Sequence, residues 1–209
     1  MSASDRAAFR LPALRRMTTF SPLLWLVAAA VLGAGGHPPD DMDVPVAQQV
    51  PLLTRVLSFD RALGGAAPLV VAVVYQERNR ASRQAYREFA QTLAARGVTT
   101  VQGRPLRVVP VPVGAGPSVR APLDRAGADV AYVAPLQGLD VRALAEAASR
   151  GGVLTLTGVR RYVDAGVAVG VGRRGGRPEI LLNRRAAAAA GADLSSRLLQ
   201  LATIVDGTR

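Results

Sequence analysis

Polar and basic side chains gather in segment 76–82 (QERNRAS), between a predicted strand and a predicted helix. Ligands of open α/β sheets bind beyond the carboxyl ends of the strands, and the N-terminus of a helix favours an anion. The segment therefore predicts a site for a small anion, with charge from Arg78 and Arg80 and hydrogen bonds from Asn79 and Ser82. The alternative is a capped helix whose arginines are simply solvated.

Two further predicted strand ends should face the same edge of the sheet. They are segments 134–138 (APLQG) and 155–158 (TLTG). Their polar side chains Gln137, Thr155 and Thr157 are predicted to line a shallow cleft together with segment 78–82. The alternative is that these residues serve only the turns that strand ends require.

Side chains typical of catalytic centres are sparse. The chain has no Cys and one His, His37, which excludes Cys nucleophiles and His-dependent triads and leaves no His/Cys metal cluster. Asp40, Asp41 and Asp43 lack the Gly and Glu of a calcium loop. The glycines match no phosphate-binding motif. The sequence thus predicts no enzyme, no metal and no cofactor, and a two-carboxylate hydrolase is kept only as a contrast.

Predicted strands and helices alternate along most of the chain. An apolar, β-branched run at 68–76 (PLVVAVVYQ) is typical of a strand buried on both faces. Further strands are predicted at 104–113, 128–135 and 152–157, a hairpin at 166–173 and 177–182, and helices at 47–63, 80–96, 119–126, 141–149, 159–163, 184–190 and 194–205. This order predicts a single-domain α/β fold with a mostly parallel sheet, an antiparallel C-terminal hairpin and helices on both faces.

The first 36 residues have the organisation of an export signal. Four arginines precede an apolar run at 20–32, and small residues follow at 33–36. We expect cleavage near His37 and a periplasmic location, followed by a flexible leader at 37–46 and a folded domain at 47–209. The alternative is an uncleaved inner-membrane anchor, for which the run is short because a span needs about 20 residues.

The basic charge is carried by arginine alone. The chain has 26 arginines and a net charge of +11, which falls to +8 once the four Arg and one Asp of residues 1–36 are removed. Such a surface suits anionic lipid headgroups or anionic ligands. The arginines are scattered and few aromatic residues accompany them, so nucleic acid is not expected. Leu198, Leu201 and Val205 form an apolar stripe on the last predicted helix, either core or a partner or homodimer surface.

Three segments resemble a known family. They are 127–133 (GADVAYV), 152–157 (GVLTLT) and 177–202, where a strand, Asn183, an Ala-rich helix and the pattern SSRLLQLA follow one another. Over about 47–206 the chain is similar to the YfiR/HmsC-like family of bacterial periplasmic proteins. The resemblance implies a non-enzymatic α/β domain, often dimeric, that restrains an inner-membrane diguanylate cyclase and so limits cyclic-di-GMP signalling and biofilm formation.

The chain also departs from the family pattern. Several family members carry cysteines in disulfides, whereas this chain has none, and the aromatic opening segment of the family reads VLSFDR at 56–61. The resemblance therefore leaves the membrane partner open between a cyclase and another signalling protein such as a sensor kinase, or no membrane partner. A periplasmic solute-binding module for a small anion is the alternative function.

Overall fold

The computed structural model describes residues 42–114 and 120–206. Its strands are β1 (Leu69–Tyr75), β2 (Thr100–Val101), β3 (Arg104–Pro112), β4 (Val130–Val133), β5 (Leu154–Thr157), β6 (Val169–Arg174), β7 (Arg177–Leu182) and β8 (Ala202–Ile204). Its α-helices are α1 (Val46–Ser58), α2 (Arg80–Ala95), α3 (Arg120–Ala126), α4 (Val141–Arg150), α5 (Arg160–Asp164), α6 (Arg184–Ala189) and α7 (Ser196–Leu201).

The strands form one eight-stranded sheet in the order β2-β3-β1-β4-β5-β6-β7-β8. Strands β3, β1, β4, β5 and β6 are mutually parallel neighbours, and β6 and β7 form the antiparallel hairpin. The connections β1–α2–β3 and β3–α3–β4 run in opposite directions along the sheet, so right-handed crossovers place α2 and α3 on opposite faces. The predicted α/β fold is confirmed.

The prolines of β3 mark an open edge of the sheet. Strand β2 pairs only with Arg104 and Pro105, so the outer side of 106–112 has no neighbouring strand among the described residues. The Leu106 N–H points outward to Thr99 O, and Pro110 and Pro112 lie at the same alternate positions. Because proline has no N–H, Pro110 and Pro112 leave no donor unpaired at this edge, and β3 can therefore occupy it.

The start of the domain differs from the predicted flexible leader at 37–46. Met42, Val44 and Val46 are buried in the core, and Gln49 Nε2 donates to Val44 O at 2.6 Å. Apolar side chains at these alternate positions pack inward, which fixes the described part of the leader. Residues 37–41 and the predicted export signal at 1–36 lie outside the described residues.

Two predicted helices end earlier than the periodicity indicates. The first stops at Ser58, and Asp60 then accepts from Ala62 N to begin a 3-10 turn at Arg61–Leu63. The last predicted helix, 194–205, divides into α7 and β8, because 202–204 pair with 180–182 at the edge of the hairpin. The two-residue strand β2 was also missed.

Segments 59–61 and 193–195 pair with each other, although they are far apart in the chain. Arg61 N donates to Asp193 O at 2.9 Å, and Ser195 N donates to Phe59 O at 3.0 Å. The side chains of Arg61 and Asp193 pair at 2.7 Å, and Asp60 Oδ1 accepts from Asp193 N at 2.8 Å. This junction fixes the C-terminal segment beside the end of α1.

Within 42–114 and 120–206, every helix is too short or too polar to cross a bilayer.

Candidate functional site

The centre of the sheet holds a topological switch point between β1 and β4. The chain leaves β1 towards β3 on one side and returns to β4 on the other, which is the arrangement that opens a ligand crevice in α/β sheets. Gln76 follows β1 and Gln137 lies beyond β4. Gln76 Nε2 donates to Gln137 O at 2.9 Å, and Gln137 N donates to Gln76 Oε1 at 2.8 Å. This reciprocal pair bridges the crevice.

A cleft of about 610 Å³ lies beside the bridge, over the carboxyl ends of β1 and β3. It includes Arg78, Asn79 and Gln137, so the structure brings three of the predicted site residues together. The other lining residues are Gln76, Glu77, Pro112, Val113 and Gly114. Sequence reasoning missed the contribution of β3, whose end reaches the cleft because β3 lies directly beside β1.

Asn79 and Ser82 form the start of α2. Asn79 Oδ1 accepts from Ser82 N at 3.2 Å, which caps the helix. Ser82 is fully buried, and its Oγ accepts from Gln76 N at 2.9 Å. Ser82 therefore positions the loop and does not line the cleft, contrary to the prediction. Asn79 serves as the cap and also lines the cleft.

The two predicted arginines have different surroundings. Arg78 is exposed at the cleft and has no hydrogen bond or ion pair within the described part of the chain. Arg80 is exposed on α2 and lines a separate groove with Arg83 and Arg87. Arg83 Nη1 donates to Glu77 O, which helps to fix the loop. Of the predicted pair, Arg78 lines the cleft and Arg80 does not.

Thr155 and Thr157 do not line the cleft, so the prediction for them is wrong. Both are fully buried in β5. Thr155 Oγ1 accepts from Ala168 N at 2.9 Å. Thr157 Oγ1 donates to Val133 O at 2.9 Å and accepts from Val159 N at 3.1 Å. Their hydroxyls satisfy backbone groups inside the sheet.

The predicted stripe of Leu198, Leu201 and Val205 does not form one surface. Leu198 is fully buried beneath α7, whereas Leu201 is 57% exposed. Val205 lies beyond β8 and is half-buried, because the helix has ended at 201. The exposed apolar pair of this region is instead Leu201 and Ile204, and the latter is 42% exposed.

The electrostatics of the cleft combine one cation with one carboxylate. Glu77 and Arg78 are adjacent on the exposed loop. Burial and then the charge of Glu77 raise the pKa of Tyr75, the last residue of β1. Tyr75 stacks on Tyr86 with ring centroids 4.6 Å apart. A guanidinium beside side-chain amides can bind a small anion, whereas the described residues include no group of His, Cys, Asp and Glu suited to a metal.

Several solved structures share the fold. A conserved domain protein from Vibrio cholerae matches at 15% identity and TM-score 0.50, covering 77% of this chain and 60% of its own. The ABC domain in complex with L-Trp from Streptococcus pneumonia matches at 12% and 0.55, covering 77% and 62%. A ligand-free, open substrate-binding protein with adhesive properties from Clostridium difficile matches at 13% and 0.54, covering 79% and 61%.

This chain spans about three fifths of the length of those structures, and such low identities establish the α/β fold alone. None of the curated proteins matches the chain. A family model described as YfiR/HmsC-like matches residues 67–203, from the approach to β1 into β8. Because that match includes the whole parallel sheet and most of the chain, the protein belongs to the YfiR/HmsC-like family.

Proposed function

We propose that this chain is a periplasmic regulatory protein that binds and restrains an inner-membrane signalling protein, specifically a diguanylate cyclase. The observation that carries the proposal is the family match over 67–203. The family is one of periplasmic regulators rather than of enzymes. The candidate site agrees with a binding role, since a guanidinium and amides can hold a ligand or a partner.

The first experiment measures cellular cyclic-di-GMP in wild-type and deletion strains. We expect cyclic-di-GMP to rise on deletion, because a restrained cyclase would be released. Rescue should require residues 1–36, since a copy without the export signal would remain in the wrong compartment. Unchanged cyclic-di-GMP, or rescue by the copy that lacks residues 1–36, would contradict the proposal.

The partner contact is proposed at Leu201 and Ile204, the large exposed apolar residues of the described chain. The buried core of a protein interface is more apolar than the rest of the protein surface. The double variant Leu201→Ser/Ile204→Ser should fold but fail to restore low cyclic-di-GMP. Gln200 is exposed on α7 beside Leu201, so Gln200→Ser is the matched control and should restore low cyclic-di-GMP. Full rescue by the double variant would place the contact elsewhere.

A second candidate function is the binding of a small anion. It is favoured by the exposed Arg78 in the cleft, whose side chain has no ion pair with any residue of 42–114 or 120–206. The test is a thermal-shift titration with inorganic phosphate and small carboxylates. A ligand at 100 times its Kd stabilises the fold by about 2.7 kcal/mol. Arg78→Gln should abolish the shift, and the exposed Arg96→Gln at the far end of α2 should retain it. A shift that survives Arg78→Gln would exclude this cleft.

A further inference from the structure

Helix α2 exposes three arginines along one face. Arg80, Arg83 and Arg87 stand at spacings of three and four residues, which aligns them over about 10 Å of helix. We call these three residues the α2 arginine row. All three are exposed. They line a shallow groove of about 360 Å³ whose other residues are Gln84, Glu88 and Gln91.

The charge of the row is not neutralised by the described part of the protein. No carboxylate lies within ion-pair distance of the three guanidinium groups there. Arg83 donates to the backbone carbonyl of Glu77, and the carboxylate of Glu88 accepts from Gln84. The row therefore presents its positive charge to solvent.

Two other helices each pair one arginine with a carboxylate four positions away. In α3, Arg120 pairs with Asp124 at 2.7 Å, and in α4, Arg150 lies 3.7 Å from Glu146. On α2 the residue four positions after Arg83 is Arg87, a like charge, which disfavours the helix. Among α2, α3 and α4, only α2 has two arginines four positions apart.

The chemistry around the row favours a lipid surface over a protein. Arginine is common at protein interfaces, but the interface core around it is well packed, apolar and rich in aromatic residues. The large exposed apolar residues of the described chain are Leu201 and Ile204, at the opposite end of the sheet from α2. A row of exposed arginines without such anchors matches the electrostatic adsorption of basic surfaces to anionic headgroups.

We propose that the α2 arginine row binds the headgroups of anionic phospholipids and turns the α2 side of the sheet towards the membrane surface. The inference goes beyond the regulatory role and does not depend on it. Each arginine near an anionic leaflet strengthens adsorption about five-fold. The three arginines of the row together should therefore strengthen adsorption on the α2 side by about 100-fold.

The test is co-sedimentation with vesicles of phosphatidylglycerol and phosphatidylcholine mixed equally, with pure phosphatidylcholine vesicles as the neutral reference. The protein is purified from the periplasm and compared with Arg80→Gln/Arg87→Gln. The matched control is Arg177→Gln/Arg184→Gln, which removes the same charge from β7 and α6. Both arginines are exposed, and their side chains have no hydrogen bond or ion pair within the described chain. Circular dichroism checks that each variant is folded.

We expect the protein to bind the anionic vesicles and this binding to fall with rising salt. Binding should weaken about 25-fold in Arg80→Gln/Arg87→Gln and change less than about three-fold in the control variant. Three results would overturn the proposal. The first is equal binding to both kinds of vesicle, and the second is equal weakening of binding by both variant pairs. The third is that the α2 arginine row proves necessary for binding a protein in detergent without anionic lipid.

Discussion

The side chains of Gln49 and Tyr132 meet in the core although they are 83 positions apart in the chain. The Tyr132 hydroxyl donates to Gln49 Oε1 at 2.9 Å, and both residues are fully buried. Gln49 also donates to Val44 O at 2.6 Å. Burial raises the pKa of Tyr132 far above its ordinary range, and the charge of Glu88 adds to this. The link fastens α1 and the segment before it to the middle of the sheet.

Tyr132→Phe should lower the free energy of unfolding by about 1–3 kcal/mol, because Gln49 Oε1 would lose its donor in a site that excludes water. Urea denaturation at pH 7 measures this. Tyr86→Phe is the control, since the Tyr86 ring only stacks on Tyr75 and its hydroxyl has no partner in the described chain. Equal stability losses in the two variants would contradict the role of the Gln49 bond.

Gly158→Ala should destabilise the protein by about 1–3 kcal/mol through overpacking. A Cβ at this position would lie 2.1 Å from Gln49 Nε2, and the bonds to Val44 and Tyr132 prevent the amide from moving away. Gly151→Ala is the matched control. Its Cβ would meet the end of the Arg120 side chain, which is 40% exposed and can move away at the small cost of its surface ion pair with Asp124.

The mutation Gln49→Ala should relieve that clash. The stability losses of Gly158→Ala and Gln49→Ala would then be far from additive in the double variant. Thermal unfolding of the four proteins in this cycle measures the coupling. Additive losses would show that Gly158 is needed for another reason.

Arg104→Lys should lower the free energy of unfolding by about 2–4 kcal/mol. The buried guanidinium donates to the carbonyl groups of Ala67, Leu63 and Pro68 at 2.6, 3.0 and 2.8 Å, and to Asp129 at 3.2 Å. An ammonium group cannot reproduce this planar set of donors, so buried carbonyls would lose their partners. Arg107→Lys, exposed on the same strand, should be neutral in the same denaturation experiment.

Glu179→Gln should remove a pH-dependent contribution to stability. Burial alone would raise the pKa of Glu179, but hydrogen bonds from Thr203 and Arg160 and the charges of Arg174 and Arg160 lower it below its ordinary value of 4.5. A lowered folded-state pKa stabilises the protein above the ordinary value, and this stabilisation is lost as the pH falls through the lowered value.

The variant should therefore be less stable than the wild type at pH 7 by about 1–3 kcal/mol, with the difference shrinking below about pH 4. Denaturant unfolding from pH 7 to pH 3 measures it. Glu146→Gln is the control, since its ion pair with Arg150 is exposed. A stability difference between the two proteins that stays constant with pH would contradict the lowered pKa of Glu179.

Local patterns were sufficient to predict the parallel sheet. The continuous apolar run predicted β1, and the helical periodicity with Asn79 as its cap predicted α2 over 80–96, against 80–95 in the structure. Both elements follow from side chains that are close in sequence. The alternate Pro110 and Pro112 favour a sheet edge or a strand end, because proline lacks the N–H that an inner strand uses, and β3 lies at an open edge.

Predictions that depended on distant partners were less accurate. The sequence predicts Thr155 and Thr157 in a cleft, but their hydroxyls bind backbone groups of neighbouring segments, Ala168 N and Val133 O. Such partners are known only once the neighbours of β5 are known. Residues 202–204 have an apolar pattern that suits a helix, and the free edge of β7 makes them a strand. The Gln76–Gln137 bridge joins residues 61 positions apart, so it requires knowledge of the strand order.

The junction between 59–61 and 193–195 has a consequence for how the protein acquires its structure. The Arg61–Asp193 pair closes a loop of 132 positions, so it cannot form until the chain has been synthesised beyond Asp193. Folds that depend on such remote contacts fold slowly, since the entropy of a large loop is lost before the contact is gained. Segment 193–195 can therefore dock beside the end of α1 only after β1 to β7 have been synthesised.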